Sequence, residues 1–78
     1  MSTQTLDKLP IGAVATVTDV DGDAQLQQRI LEMGVLPGTQ IKVVRFAPLG
    51  DPIEIKVMGY SLTLRKAEAR HVKVELSG

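Results

Sequence analysis

Closely spaced turn signals are the feature of this sequence that most restricts its fold. Proline and glycine occur together at residues 9–12, 37–38 and 48–52, and the segments between these sites are short and rich in valine, isoleucine and threonine. Proline presets one backbone dihedral angle and glycine permits the next, so each site favours a turn. Short runs of strand-forming residues between turns predict an antiparallel β protein.

Five segments have the composition or the alternation of strands. The clearest is 53–58, where three apolar side chains alternate with Glu54 and Lys56, as expected when one strand face packs on a core. Pro37 and Gly38 suit the second and third positions of a type II turn, and Gly59-Tyr60 is a further expected turn. The predicted strands are residues 13–20, 41–46, 53–58, 61–65 and 72–76.

Residues 24–33 predict a helix. Asp23 is a suitable N-cap because its carboxylate can accept a hydrogen bond from a free amide of the first turn. Gly34 suits the left-handed position that follows the last turn. Residues 66–70 are good helix formers but have room for only about one or two turns.

A sheet of short strands with one helix cannot bury its apolar face against a helical layer, so it must curl onto itself. The expected fold is mainly β: a small SH3-like barrel of five to six strands, with one short α-helix and a short helical turn before the last strand. The 78 residues are expected to form a single domain, 1–78. A domain of this size buries only about 60% of the surface of its unfolded chain, which leaves little room for a deep pocket.

Composition excludes several classes of protein. The chain is 44% hydrophobic and 23% charged, which is typical of a globular domain, and no apolar run is long enough for membrane insertion. Residues 1–10 lack the basic start and apolar core of a signal peptide, so a cytoplasmic location is expected. There is no cysteine, so neither a disulfide nor a thiolate metal site is expected.

The sequence contains no group of residues typical of a catalytic site. We therefore expect no catalytic residue, no enzyme activity and no cofactor. His71 is the only histidine and lies between a helical turn and a strand, where capping is the simpler role. Ser61 lacks the glycine pattern of a nucleophile elbow. The glycines at 34, 38 and 50 are isolated turn residues and do not form a phosphate-binding loop.

Three alternating aspartates, Asp19, Asp21 and Asp23, resemble the first ligands of a calcium-binding loop. A calcium loop that began at Asp19 would need a glutamate at its twelfth position and a glycine at its sixth. Those positions hold Ile30 and Ala24. Turn and N-cap roles therefore explain the aspartates, and no metal site is expected within one chain.

Nucleic-acid binding is the alternative function. Residues 1–38 hold two bases and five acids, and residues 39–78 hold seven bases and four acids, so the halves carry charges of −3 and +3. A basic patch could form from Arg65, Lys66, Arg70 and Lys73. However, the net charge is zero and the only aromatic residues are Phe46 and Tyr60, which weakens both counterion release and base stacking.

Apolar side chains of the helix point in two directions. Leu26, Ile30 and Met33 form one stripe, whereas Ala24 and Leu31 point away from it. One direction faces the core, and the other either packs under a loop or contacts a partner.

Leu49 presents the same two alternatives. It either folds back over the barrel end or stands out on a loop stiffened by Pro48 and Pro52, which would lose less entropy on docking. An apolar helix edge beside an apolar loop tip would form a small docking surface for another protein.

Several motifs occur in a fixed order along nearly the whole chain. They are Leu9-Pro10-Ile11-Gly12, Leu26 with Arg29-Ile30 and Glu32-Met33-Gly34, Leu36-Pro37-Gly38, Ala47-Pro48-Leu49-Gly50-Asp51-Pro52, and Leu64-Arg65-Lys66-Ala67-Glu68-Ala69. Each alone is a weak turn or cap signal. Their ordered combination resembles the FeoA family of ferrous iron transport accessory proteins, although Ile30 stands where leucine is common in that family.

The resemblance implies an SH3-like fold and a cytoplasmic role beside FeoB, the membrane Fe(II) transporter with a GTP-binding domain. It does not imply that this chain carries iron. Similar domains form the C-terminal part of iron-dependent DtxR-type repressors, but no DNA-reading helical segment precedes the barrel here, so a free-standing accessory protein is expected.

Five residues are the expected contact surface for the cytoplasmic part of FeoB: Leu26, Arg29, Met33, Leu49 and Asp51. The three apolar side chains would supply buried area, and the two charged residues would set orientation from the rim. Another small Feo accessory protein, or a homo-oligomer formed through the same helix edge, is the other partner to consider.

Overall fold

Six strands and two helices make up the computed structural model, which describes residues 3–76. The strands are β1 (Thr3–Thr5), β2 (Val14–Val20), β3 (Gln40–Phe46), β4 (Ile53–Val57), β5 (Tyr60–Leu64) and β6 (Val72–Leu76). The helices are α1 (Ala24–Glu32) and α2 (Lys66–Ala69), and one 3-10 turn spans Leu6–Lys8. Neither helix is long and apolar enough to span a bilayer, as judged over the described residues.

The strands form one antiparallel sheet in the order β1-β6-β2-β3-β4-β5. Register shifts interrupt the pairing of β2 with β6 and of β3 with β4. Such irregularities bend strands and increase their twist, as a sheet that curves around its own core requires. The mainly β architecture predicted from the sequence is confirmed.

The core is aliphatic and comes from every strand except β1. Alternation along β4 is strict, because Ile53, Ile55 and Val57 are fully buried whereas Lys56 is exposed. Ile30 is the one core side chain from α1. The other core residues are Leu6, Leu9, Ala15, Val17, Val20, Val35, Ile41, Val43, Leu64, Ala69, Val72 and Val74.

The predicted ends of α1 are correct to within one residue. Asp23 is the N-cap, and its Oδ1 accepts a hydrogen bond of 2.8 Å from the amide of Leu26. Gly34 has a φ of +96° and follows the C-cap Met33. The turn at Pro37 and Gly38 is also confirmed, because the amide of Thr39 donates to the carbonyl of Leu36 at 2.9 Å.

Three local features differ from the sequence interpretation. The turn before β5 was expected at Gly59-Tyr60 but is formed by Met58 and Gly59, which both have positive φ, and Val57 pairs directly with Tyr60. A two-residue hairpin turn of type I′ requires positive φ at both central positions, which explains the shift of one residue. Strand β1 and the 3-10 turn Leu6–Lys8 were not predicted.

Candidate partner-binding surface

The 47–52 loop joins β3 to β4 and holds its own backbone in place. The amide of Gly50 donates to the carbonyl of Ala47 at 2.7 Å, and the amide of Ala47 donates to the carbonyl of Pro52 at 3.0 Å. Leu49 lies at the tip, and 96% of it is exposed. Of the two alternatives that the sequence left open, the structure shows Leu49 standing out from the barrel.

Asp51 anchors this loop to the start of α2. Its Oδ1 accepts a hydrogen bond of 2.8 Å from the amide of Lys66, the first residue of α2. Amides of a first helical turn have no partner within the helix, so this carboxylate satisfies a group that would otherwise need water. The loop and α2 are therefore fixed to each other.

Glu68 connects α2 to α1. Only 9% of this residue is exposed; its Oε1 accepts a hydrogen bond of 2.9 Å from the amide of Arg65, and its Oε2 lies 3.2 Å from Nε of Arg29. Together with the Asp51 contact, these bonds form a continuous link from α1 through α2 to the 47–52 loop. We call Arg29, Glu68, Lys66 and Asp51 the α2 bridge.

The two charged residues of the expected contact surface therefore have internal partners, and both keep groups free for other contacts. The guanidinium of Arg29 uses Nε for Glu68, and 69% of its side chain is exposed. Asp51 is exposed and uses Oδ1 for Lys66. Arginine has five N–H donors and a carboxylate has two acceptor oxygens, so each residue can bind a further group.

Leu26 and Met33 contribute mainly to the inside of the molecule. Both are partly buried and pack against the core, and their positions differ by about 10 Å along the helix axis. Leu31, on the other apolar direction of α1, stays 37% exposed. The structure thus places Leu49 at the surface, brings Arg29 and Asp51 to α2, and turns most of Leu26 and Met33 inward.

Sequence reasoning did not find the apolar surface around the end of α1. The hydroxyl of Tyr60 donates a hydrogen bond of 2.9 Å to the carbonyl of Met33, and a Cβ on Gly34 would collide with that hydroxyl. Tyr60 is 46% exposed and Leu36, two residues after Gly34, is 47% exposed. No local signal links Tyr60 to α1, because the contact joins segments far apart in the chain.

A charged cluster joins the ends of β2 and β6. Oδ1 of Asp21 lies 2.8 Å from Nδ1 of His71, and Oδ2 lies 3.3 Å from Nζ of Lys73. The hydrogen bond from His71 is the main reason why the pKa of the Asp21 carboxyl falls below its ordinary value of 3.8; Lys73 lowers it further, while partial desolvation opposes both.

A comparison with protein families identifies the chain. The model of the FeoA domain matches residues 4–76, which is nearly its whole length. The chain belongs to the FeoA family.

FeoA proteins take part in ferrous iron transport. This chain is similar to one relative known by its sequence and to two of known structure, described next. A fusion of Fe(2+) transport protein A with the Fe(2+) transporter FeoB, from Porphyromonas gingivalis, is 41% identical over 71 residues. That match covers 91% of this chain but only 8% of the fusion protein.

Two solved structures share the fold. The FeoA-like protein from Clostridium acetobutylicum has a TM-score of 0.90 and 34% identity, and the match covers 97% of this chain and 88% of that one. The zinc complex of Stenotrophomonas maltophilia FeoA, a prokaryotic SH3 domain protein, has a TM-score of 0.80 and 32% identity, with coverage of 92% and 89%. The SH3-like fold expected from the sequence is confirmed.

The side chains considered for metal or nucleic-acid binding occupy ordinary structural positions in this FeoA domain. Asp21 contacts His71 and Lys73, and Asp23 caps α1. Within residues 3–76, no three His, Asp or Glu side chains group closely enough to hold a metal ion. Of the four residues of the basic patch, Lys73 pairs with Asp21, and the other three belong to α2 or its two caps.

Proposed function

We propose that this FeoA domain acts in the cytoplasm as an accessory or regulatory protein of ferrous iron uptake, and that it binds the cytoplasmic part of a FeoB-type transporter. It acts by binding and not by catalysis. The observation that carries the proposal is the nearly complete exposure of Leu49 on a loop held by the α2 bridge.

The fusion protein from Porphyromonas gingivalis supports the choice of partner. In that protein a domain similar to this one is covalently joined to the transporter FeoB. Covalent linkage gives two domains an effective concentration of about millimolar when the linker is short and flexible, so even a weak contact is populated. Where such a domain is not joined to the transporter, the same association depends on the surface of the domain.

The chemistry of the 47–52 loop suits docking onto a protein. A leucine side chain that is exposed in the free domain gains about 1.5–3 kcal/mol when it is fully buried by a partner. Because the loop is already fixed by backbone hydrogen bonds and by Asp51, little further ordering is needed on binding. Arg29 and Asp51, each with a free polar group, would orient the partner from the rim.

A binding measurement with purified components tests this proposal. The cytoplasmic part of FeoB is immobilised, and the affinities of wild type, Leu49→Ser and Leu76→Ser are compared by biolayer interferometry. Leu76 is the control, because it is also an exposed leucine outside the core, 43% accessible. We expect Leu49→Ser to weaken binding by about tenfold, as for loss of a central apolar contact, and Leu76→Ser to leave it nearly unchanged.

Both variants should melt at the wild-type temperature, because neither side chain belongs to the core. Equal binding by wild type and Leu49→Ser would exclude the loop tip as the contact. Absence of binding by the wild-type protein would exclude the proposed partner. Substitution of Leu26 or Met33 is a poorer test, because both side chains pack on the core.

A further inference from the structure

Two lysines face each other on the outer surface of the sheet. Lys42 on β3 is the direct antiparallel partner of Lys56 on β4. Their chain neighbours Ile41, Val43 and Val57 are buried, so by the alternation of a strand both lysines point to solvent, and both are exposed. Side chains in such a pair have Cβ atoms about 4.5–5.5 Å apart, and like charges at this distance destabilise the sheet.

This lysine pair has no acidic partner within residues 3–76. None of the ion pairs among the described residues includes Lys42 or Lys56. The next cross-strand pair with outward side chains on the same two strands is Arg45 and Glu54, whose opposite charges meet at 2.7 Å. The sheet therefore compensates charge at one position and leaves two positive charges uncompensated at the neighbouring one.

Open grooves with apolar walls lie on both sides of the lysine pair. One, of about 530 Å³, is lined by Gln40 and Met58 as well as by both lysines. The other, of about 460 Å³, is lined by Val44 and Ile11 as well as by both lysines. Met58 is 81% exposed and Ile11 is 61% exposed, so each groove offers apolar contact beside the charges.

The lysine pair is separate from the surface around Leu49. The 47–52 loop follows Phe46 at the end of β3, four residues after Lys42. At about 3.3 Å per residue this is a distance of about 13 Å along the strand. A ligand of the lysine pair thus occupies a different part of the domain from the partner proposed above.

We propose that Lys42 and Lys56 form a second binding surface, which takes an extended acidic segment of a protein. Two carboxylates on one face of the segment pair with the two ammonium groups, and apolar side chains on the same face enter the two grooves. A small anion would use the charges alone and leave Met58 and Ile11 exposed. An anionic membrane is a poorer fit, because recognition of acidic lipid surfaces takes clusters of about four to eight basic residues.

Peptide titration followed by NMR tests the proposal. The probe is a synthetic peptide, Leu-Ser-Glu-Ser-Glu-Ser-Leu, which presents both leucines and both carboxylates on one face when extended. Its control has glutamine in place of each glutamate. With ¹⁵N-labelled protein at low salt, we expect the acidic peptide to shift the amide signals of Lys42, Lys56, Met58 and Ile11, and to bind at least about tenfold more tightly than its control.

Two charge-reversal variants distinguish binding at the lysine pair from nonspecific electrostatic attraction of the acidic peptide. Lys56→Glu should weaken binding of the acidic peptide by about tenfold or more. It should not lower the melting temperature, because the new carboxylate lies opposite Lys42 and replaces repulsion with attraction. Arg70→Glu makes the same change of charge at the C-cap of α2, which lines neither groove, and should leave peptide binding nearly unchanged.

Several results would overturn the proposal. These are equal binding of both peptides, signal changes located elsewhere, an equal effect of Arg70→Glu, or no signal change at millimolar peptide. If inorganic phosphate at the same concentration shifted the lysine signals as strongly as the peptide, the site would be a general anion site. If dilution of the protein alone shifted them, the occupant would be a second copy of this chain.

Discussion

The amide of Lys66 donates a 2.8 Å hydrogen bond to Oδ1 of Asp51, fifteen residues earlier in the chain. One partner begins α2 and the other lies in the loop that carries Leu49. This contact makes the position of an exposed leucine depend on a short helix that also holds Arg29 through Glu68. The 47–52 loop and α1 are therefore coupled through α2.

Replacement of Asp51 tests this coupling. Asp51→Ala removes the acceptor and should lower the free energy of unfolding by about 1 kcal/mol, as for loss of a helix N-cap. Asp51→Asn keeps an oxygen acceptor and should cost less. Urea unfolding measures both, and amide hydrogen exchange of Lys66 should accelerate in the alanine variant. The coupling would be refuted if alanine and asparagine had the same small effect on stability and exchange.

Glu68 is the buried acid of the α2 bridge, and its two oxygens have separable roles. Glu68→Ala leaves the amide of Arg65 without its acceptor, so we expect a loss of about 1–3 kcal/mol in unfolding free energy. Glu68→Gln retains an oxygen for that amide and gives up only the ion pair with exposed Arg29, which should cost about 1 kcal/mol or less.

Arg29→Ala is the control for the Glu68 variants, because it removes the ion pair from the other side. It should lower the free energy of unfolding in urea by at least as much as Glu68→Gln, because the nearly buried carboxylate of Glu68 then lacks its cationic partner. A Glu68→Gln variant as unstable as Glu68→Ala would show that the charge of Glu68, and not its hydrogen bond to the backbone, supports α2.

Much of the fold could be predicted because its determinants are local. The alternation in β4, the Asp23 cap, the glycine at 34 and the turn at Pro37 each act over a few residues, and the structure confirms all four. Strand β1 was missed for the opposite reason. Thr3–Thr5 has no apolar alternation and is held by pairing with β6 at the far end of the chain.

The candidate surface was less predictable, because its features depend on contacts between distant segments. The sequence indicated that Leu49 is either covered or exposed, and only the folded chain shows its exposure. Likewise, Arg29 and Asp51 were expected as rim charges, but their internal bonds to Glu68 and Lys66 follow from where α2 packs. The repulsive pair of Lys42 and Lys56 depends on strand register, which a list of charges does not contain.

Gly34 and Tyr60 provide a test of packing at the end of α1. Gly34→Ala should lower the free energy of unfolding by more than about 2 kcal/mol, because the backbone has φ +96° and the new methyl group collides with the Tyr60 hydroxyl. In a Tyr60→Phe background that hydroxyl is absent, so the same substitution should cost only about 1–2 kcal/mol from the backbone. Denaturant unfolding of the four proteins gives the coupling, and an equal cost in both backgrounds would contradict the proposed collision.

Asp21 should make stability depend on pH at the junction of β2 and β6. Its pKa is depressed from 3.8, chiefly by the hydrogen bond from His71 and further by Lys73. A carboxyl with a lower pKa in the folded protein stabilises it at pH values above 3.8, and this contribution disappears as the pH falls through the folded-state pKa.

The wild-type melting temperature should therefore fall between about pH 5 and pH 3. Asp21→Asn should melt lower than wild type at about pH 5, and its melting temperature should change less over this range. Glu75→Gln removes one negative charge at an exposed residue of β6 that has no ion pair among the described residues, and it is the control for the loss of charge alone. Parallel profiles for wild type and Asp21→Asn would show that the contacts of Asp21 with His71 and Lys73 add no pH-dependent stability.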